Sequence, residues 1–125
     1  MADTASKSIL VVEDDQFYSN IFKKKLTLEG FNVILAADGE QCMKAVREQP
    51  CNLILLDMVM PVKDGIQTLK ELKADEGLKN IPVIILSNLG QEADIEETKK
   101  LGAADYIVKS NMSIHDMVEK VRKFL

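Results

Sequence analysis

Five short apolar runs punctuate the chain, at residues 9–12, 33–37, 53–56, 82–86 and 106–108. They are rich in Ile, Val and Leu and do not alternate with polar residues. Continuous apolar strands are expected when a parallel sheet is covered on both faces. Between the runs the apolar spacing turns helical. Residues 15–29 place Phe22 and Leu26 four apart and Ile21 and Leu28 seven apart, with Gly30 as the predicted C-cap. Residues 40–49 put Met43 and Val46 on one face, and Pro50 stops that helix. Residues 66–74 repeat Ile66, Leu69 and Leu72. Residues 113–125 stripe Ile114, Met117, Val118, Val121 and Leu125, and Ser113 with Asp116 resembles a capping box. Residues 91–101 also read as a helix, ending before Gly102, but the apolar stripe is thin. Little burial means weak anchoring, so this element is the expected mobile part or partner surface.

The pattern is β-α five times over. Right-handed crossovers place helices on both faces of one parallel sheet. The expected fold is α/β, a doubly wound five-stranded flavodoxin-like sheet with strand order 2-1-3-4-5. No repeat or linker divides it, so residues 1–125 read as one domain with residues 1–7 as a flexible lead-in.

Composition narrows the class. At 125 residues, 46% of them hydrophobic, the chain buries a core without disulfides and is not disordered. A net charge of −4 argues against a nucleic-acid surface, and the short runs Lys23, Lys24, Lys25 and Lys99, Lys100 read as solvated helix faces. Cys42 and Cys51 have no metal-ligand spacing and read as reduced thiols of a cytoplasmic protein. No apolar run reaches the roughly 20 residues of a membrane helix.

The chemistry gathers at strand ends. The first strand runs into Glu13, Asp14 and Asp15, and the third into Asp57. In the order 2-1-3-4-5 the first and third strands are neighbours where the winding reverses, and ligands bind beyond their carboxyl ends. Crowded carboxylates must bind a cation or hold a proton, and hard oxygens suit Mg²⁺. Acids after strands also serve as helix caps, and Asp15 fits that use too. The fourth strand ends in Ser87 and the fifth in Lys109. Acids for a metal, an Asp nucleophile, a hydroxyl and an ammonium are what phosphoryl transfer requires.

With Glu13-Asp14-Asp15, then Asp57-Met58-Val59-Met60-Pro61-Val62-Lys63-Asp64-Gly65, then Ser87 and Lys109, the chain resembles the receiver domains of two-component response regulators. The resemblance covers essentially the whole chain. It implies that Asp57 accepts the phosphoryl group, and that Asp14, Asp15, Asp57 and the Val59 carbonyl hold Mg²⁺. It implies that Lys109 contacts the phosphoryl group or the free carboxylate, that Ser87 swings toward it, and that Tyr106 is the linked aromatic switch. The implied output surface is the fourth helix, fifth strand and fifth helix. The implied partners are a sensor histidine kinase or phosphotransfer protein upstream, and a protein partner or an output domain downstream. The implied activity is a signalling switch, not a metabolic enzyme.

Two positions depart from the family pattern. Ser110 stands where receivers usually carry proline, often after a cis bond. A cis bond before a non-proline residue costs about 3–4 kcal/mol, so a trans bond or a strained cis one is expected. Asn88 stands where a small residue is common and is expected to narrow phosphoryl access. Val59 and Leu89 flank Asp57 with apolar side chains that cannot orient water, which predicts slow hydrolysis of the phosphoaspartate. His115 is expected to be exposed, without chemistry. Three rivals compete. An FMN-binding flavodoxin wants a loop that cradles phosphate where this chain has acids. A haloacid-dehalogenase-type phosphatase wants an acid where Val59 stands. The third is a pseudo-receiver that only binds partners. The chain fits a free-standing receiver and a piece of a longer regulator equally well.

Overall fold

The computed structural model describes residues 7–58, 64–88, 92–110 and 113–125. Strands β1 (Ser8–Val12), β2 (Asn32–Ala36), β3 (Leu53–Asp57), β4 (Val83–Ser87) and β5 (Asp105–Val108) alternate with helices. These are α1 (Gln16–Leu28), α2 (Gly39–Glu48), α3 (Gly65–Ala74), α4 (Glu92–Lys100) and α5 (Ile114–Lys123). All strand pairs are parallel and the order is β2-β1-β3-β4-β5, as the sequence predicts.

The sheet separates two cores. Ile9, Val11, Leu53, Leu55, Ile84, Leu86 and Ile107 face α1 and α5, meeting Phe22, Leu26, Met117, Val118 and Val121. Leu10, Val12, Ile54, Leu56, Val83 and Ile85 face the other way, onto Cys42, Met43, Val46, Leu69 and Leu72 of α2 and α3. Both faces of β1, β3 and β4 are therefore apolar, which explains their unbroken runs. The edge strands differ. Ile34 and Val33 of β2 are half-buried and Leu35 is exposed, because no strand lies beyond β2. Leu28 also departs from expectation at 73% exposed. It lies two residues past buried Leu26, about 200° around the helix, so the two cannot share a face.

Helix starts follow local chemistry. The side chains of Asp15, Asp38, Asp64 and Ser113 each accept a backbone N–H from the first turn of α1, α2, α3 and α5. Gly30 ends α1 at φ 97°, where Phe31 N–H bonds back to Leu26 O at 3.1 Å. Gln49, before Pro50, is extended and closes α2. In α4, among residues 95–100, Thr98 is the one buried side chain, so the thin stripe is a structural fact. No helix among the described residues is long and apolar enough to cross a membrane.

Candidate functional site

Strand register brings the predicted groups to one rim. Val12 pairs with Leu56, Asp57 with Leu86, and Ser87 with Val108. Glu13 therefore lies one step beyond Val12, beside Asp57, and Lys109 one step beyond Val108. Backbone bonds extend the ladders past the strands, from Lys109 N–H to Ser87 O at 2.8 Å and Met58 N–H to Leu86 O at 3.1 Å.

The alternation of side chains decides which groups meet. Glu13 continues Ile9 and Val11, Asp57 continues Leu53 and Leu55, and Lys109 continues Ile107, so all three project toward α1 and α5. Ser87 continues Val83 and Ile85 and projects toward the α3 side, as does Tyr106. Asp57 is 5% exposed, and Glu13 and Ser87 are buried. Lys109 Nζ makes a short ion pair with Glu13 Oε1 and lies 3.4 Å from Asp57 Oδ2. The Tyr106 hydroxyl donates to Met58 Sδ at 3.5 Å.

Close approach of α3 shapes the floor. Gly65 N–H donates to Met58 O at 3.0 Å. A Cβ on Gly65 would lie against the Asp57 carbonyl oxygen and 2.7 Å from Met58 Cα. Only glycine lets the first turn of α3 cross the end of β3 this closely.

Carboxylate oxygens of Glu13, Asp14 and Asp57 fall within 4.8 Å of one another. Asp15, expected among the metal ligands, stands outside that group. Its Oδ1 accepts the Phe17 N–H at 2.8 Å, and its own N–H donates to Glu13 Oε2 at 3.2 Å. Helix capping turns Asp15 toward the backbone, while Glu13 takes the inward place. Val59 and Leu89 lie outside the described residues. The Lys109–Ser110 bond is trans, Asn88 is exposed at the end of β4, and His115 is exposed on α5.

The electrostatics of the cluster favour a held proton or a bound cation. Burial pushes the Glu13 carboxyl up to about 7, the neighbouring Asp57 carboxylate pushes the same way, and Lys109 opposes both. Burial pulls Lys109 down, but its bond to Glu13 and the charges of Asp57 and Glu13 outweigh this and leave it raised. Three carboxylates with one ammonium leave excess negative charge in a pocket of hard oxygens, a donor set that fits Mg²⁺. The sequence reading placed Glu13 in this pocket without naming it among the metal ligands, and it did not name Tyr18. Glu13 was legible from its period-2 relation to Ile9 and Val11. Tyr18, whose ring lies against the Lys109 ammonium, was legible from the stripe it forms with Phe22 and Leu26.

Residues 9–122 match the response regulator receiver domain family. The chain belongs to that family, whose members are signalling switches of two-component systems. It is 41% identical to the transcriptional regulatory protein CpxR of Klebsiella pneumoniae over 94% of this chain and 48% of that protein. It thus spans about half the length of that relative. The polar-differentiation response regulator DivK of Brucella ovis is 30% identical over 96% of this chain and 97% of its own length. Among solved structures, the Francisella response regulator 1452 receiver domain superposes with a TM-score of 0.87 at 30% identity, covering 95% of this chain and 96% of that one.

Proposed function

We propose that Asp57 accepts a phosphoryl group from a phosphohistidine donor, with Mg²⁺ held by the carboxylates of Glu13, Asp14 and Asp57 and by the Val59 carbonyl. The observation that carries this is Asp57, buried at the end of β3 between a second carboxylate and the Lys109 ammonium. A bound divalent cation supplies positive charge to the equatorial phosphoryl oxygens and relieves repulsion among the carboxylates. An Asp57 oxygen attacks phosphorus in line. The P–N bond of the donor breaks, and its electron pair returns to the imidazole, which takes up a proton. Lys109, already against Asp57, pairs with a phosphoryl oxygen as the charge of the site rises. Ser87, buried at the end of the neighbouring strand, offers its hydroxyl from the other side.

The same group is a switch because it adds charge where contacts change. Tyr106 lies on the Ser87 side of the sheet and touches Met58, the residue after Asp57. Movement of Ser87 toward phosphate shifts what Tyr106 packs against, and with it the lightly anchored α4 and the adjoining faces of β5 and α5. The upstream partner is a sensor histidine kinase or phosphotransfer protein. Downstream, this surface controls a protein partner or an output domain such as the longer relatives have room for. The protein works in the cytoplasm, catalyses its own loading from small phosphodonors, and loses phosphate slowly. Beryllofluoride tests the reading as a phosphoryl mimic. With Mg²⁺ it should give a bound fluorine resonance and altered amide exchange across residues 92–108 in wild type, and neither in Asp57→Asn. Binding that survives in Asp57→Asn would refute the assignment.

A further inference from the structure

The rim cluster has a member that is neither acid nor base. Lys109 Nζ lies 4.6 Å from the centroid of the Tyr18 ring. Its other sides meet Glu13 and Asp57, and the Lys109 side chain is only 6% exposed. Water supplies little of the ammonium's solvation there, and the electron-rich ring face supplies part of what water does not. The ring is itself held in place. It stacks on Phe22 at 6.0 Å and 28° and meets Phe17 edge-on at 5.5 Å and 78°. Tyr18 belongs to the first turn of α1, whose start is fixed by the Asp15 cap. A small cavity of about 30 Å³ is bordered by Tyr18, Lys109, Leu86 and Met117.

We propose that Tyr18 is a positioning residue for Lys109, its ring holding the ammonium at the rim over Asp57 through a contact that costs no hydrogen bond to leave. The proposal rests on the reading that Lys109 serves the phosphoryl group. On phosphorylation the ammonium must exchange part of its hold on Glu13 for a phosphoryl oxygen. A further carboxylate in Tyr18's place would pin the cation, and an aliphatic residue would give it no electrostatic support. A ring face attracts positive charge broadly, so the ammonium can slide across it without losing the attraction.

The test is the rate of phosphorylation by acetyl phosphate with Mg²⁺ in the full chain. Tyr18→Phe keeps the ring and is expected within about twofold of wild type. Tyr18→Met keeps an apolar, flexible side chain, smaller and without a ring face, and its maximal rate should fall about three- to tenfold, with little change in the donor concentration at half-maximum. Nuclear magnetic resonance supplies a signature that packing alone would not move. The Lys109 ε-methylene protons should be shifted upfield in wild type and Tyr18→Phe, and not in Tyr18→Met. In a Lys109→Ala background, Tyr18→Met should have no further effect on rate. A folded Tyr18→Met that matches wild type, or one whose effect persists without Lys109, overturns the proposal. Should Tyr18→Met not fold, unshifted ε-methylene protons in wild type overturn it and upfield-shifted ones in wild type and Tyr18→Phe support it. If Lys109→Ala is itself phosphorylated at the wild-type rate, the role of Lys109 falls as well, an outcome distinct from failure at Tyr18 alone.

Discussion

Gly65 shows how one residue sets the site's geometry. The added Cβ of Gly65→Ala would meet the backbone of Asp57 and Met58, which cannot swing aside as a side chain can. Overpacking of this kind costs about 1–3 kcal/mol. Urea unfolding of Gly65→Ala should show a loss in that range, and a stability equal to wild type would contradict the close approach of α3. Cys51 gives a second residue-scale test. Burial pushes its thiol up to about 11, with a partial offset from the Leu53 N–H. Its thiolate population at mildly alkaline pH is on the order of a hundredfold below that of an ordinary thiol. Alkylation of native protein near pH 8 should therefore be slow at Cys51, and rapid reaction there would contradict the burial. The site residues were legible from the sequence to different depths. Asp57, Ser87 and Lys109 each end an apolar run and sit where expected at the rim. Asp15, read both as a helix cap and as a ligand, is seen as the cap, and Glu13 turns inward beside Asp57; an acid just before a helix has two uses, and only the strand alternation separates them.

At the scale of elements, caps and edges govern what was readable. Pro50, Gly30, Asp15 and Ser113 announce their helices because each acts on its own backbone neighbours, and Asp38 and Asp64 cap theirs in the same way. Truncation should show it. Asp38→Ala removes the side chain that accepts the Gln41 N–H at 2.9 Å and should cost roughly 0.5–2 kcal/mol. The loss should appear in denaturant midpoint with an unchanged slope, and no loss would mean that α2 does not depend on this cap. The edge character of β2 was not readable in the same way. Its run of apolar residues has the composition of a central strand, and exposure at Leu35 depends on what lies beside it in space. For α4 the sequence was more informative, since a helix with few apolar residues cannot be deeply buried. The described part, with Thr98 alone buried, agrees.

The whole molecule is a parallel sheet whose rim gathers three carboxylates and one ammonium. The fold follows from the rhythm of five apolar runs and was legible almost entirely. The charge balance was not, because it depends on distances between strand ends. Its pH dependence has a definite sign. The Glu13 carboxyl rises from 4.5 to about 7 on folding without metal, through burial and Asp57. Between those values the folded state holds a proton that the unfolded chain has released, so this group favours folding most at low pH and loses that contribution as pH rises through the window. A cation must displace that proton, so Mg²⁺ should bind more tightly above the window than within it. The rise in thermal midpoint caused by Mg²⁺ should be larger near pH 8 than near pH 6. An equal or smaller rise near pH 8 would contradict the placement of Glu13 among the ligands.

The central claim is that Asp57 takes the phosphoryl group with a divalent cation beside it, and intact mass tests it most directly. Wild-type protein and Asp57→Asn would be incubated with acetyl phosphate, with Mg²⁺ and with chelator. The account predicts one phosphoryl adduct on wild type in the presence of Mg²⁺, little with chelator, and none on Asp57→Asn. An adduct of equal yield on Asp57→Asn, or none on wild type with Mg²⁺, would contradict it.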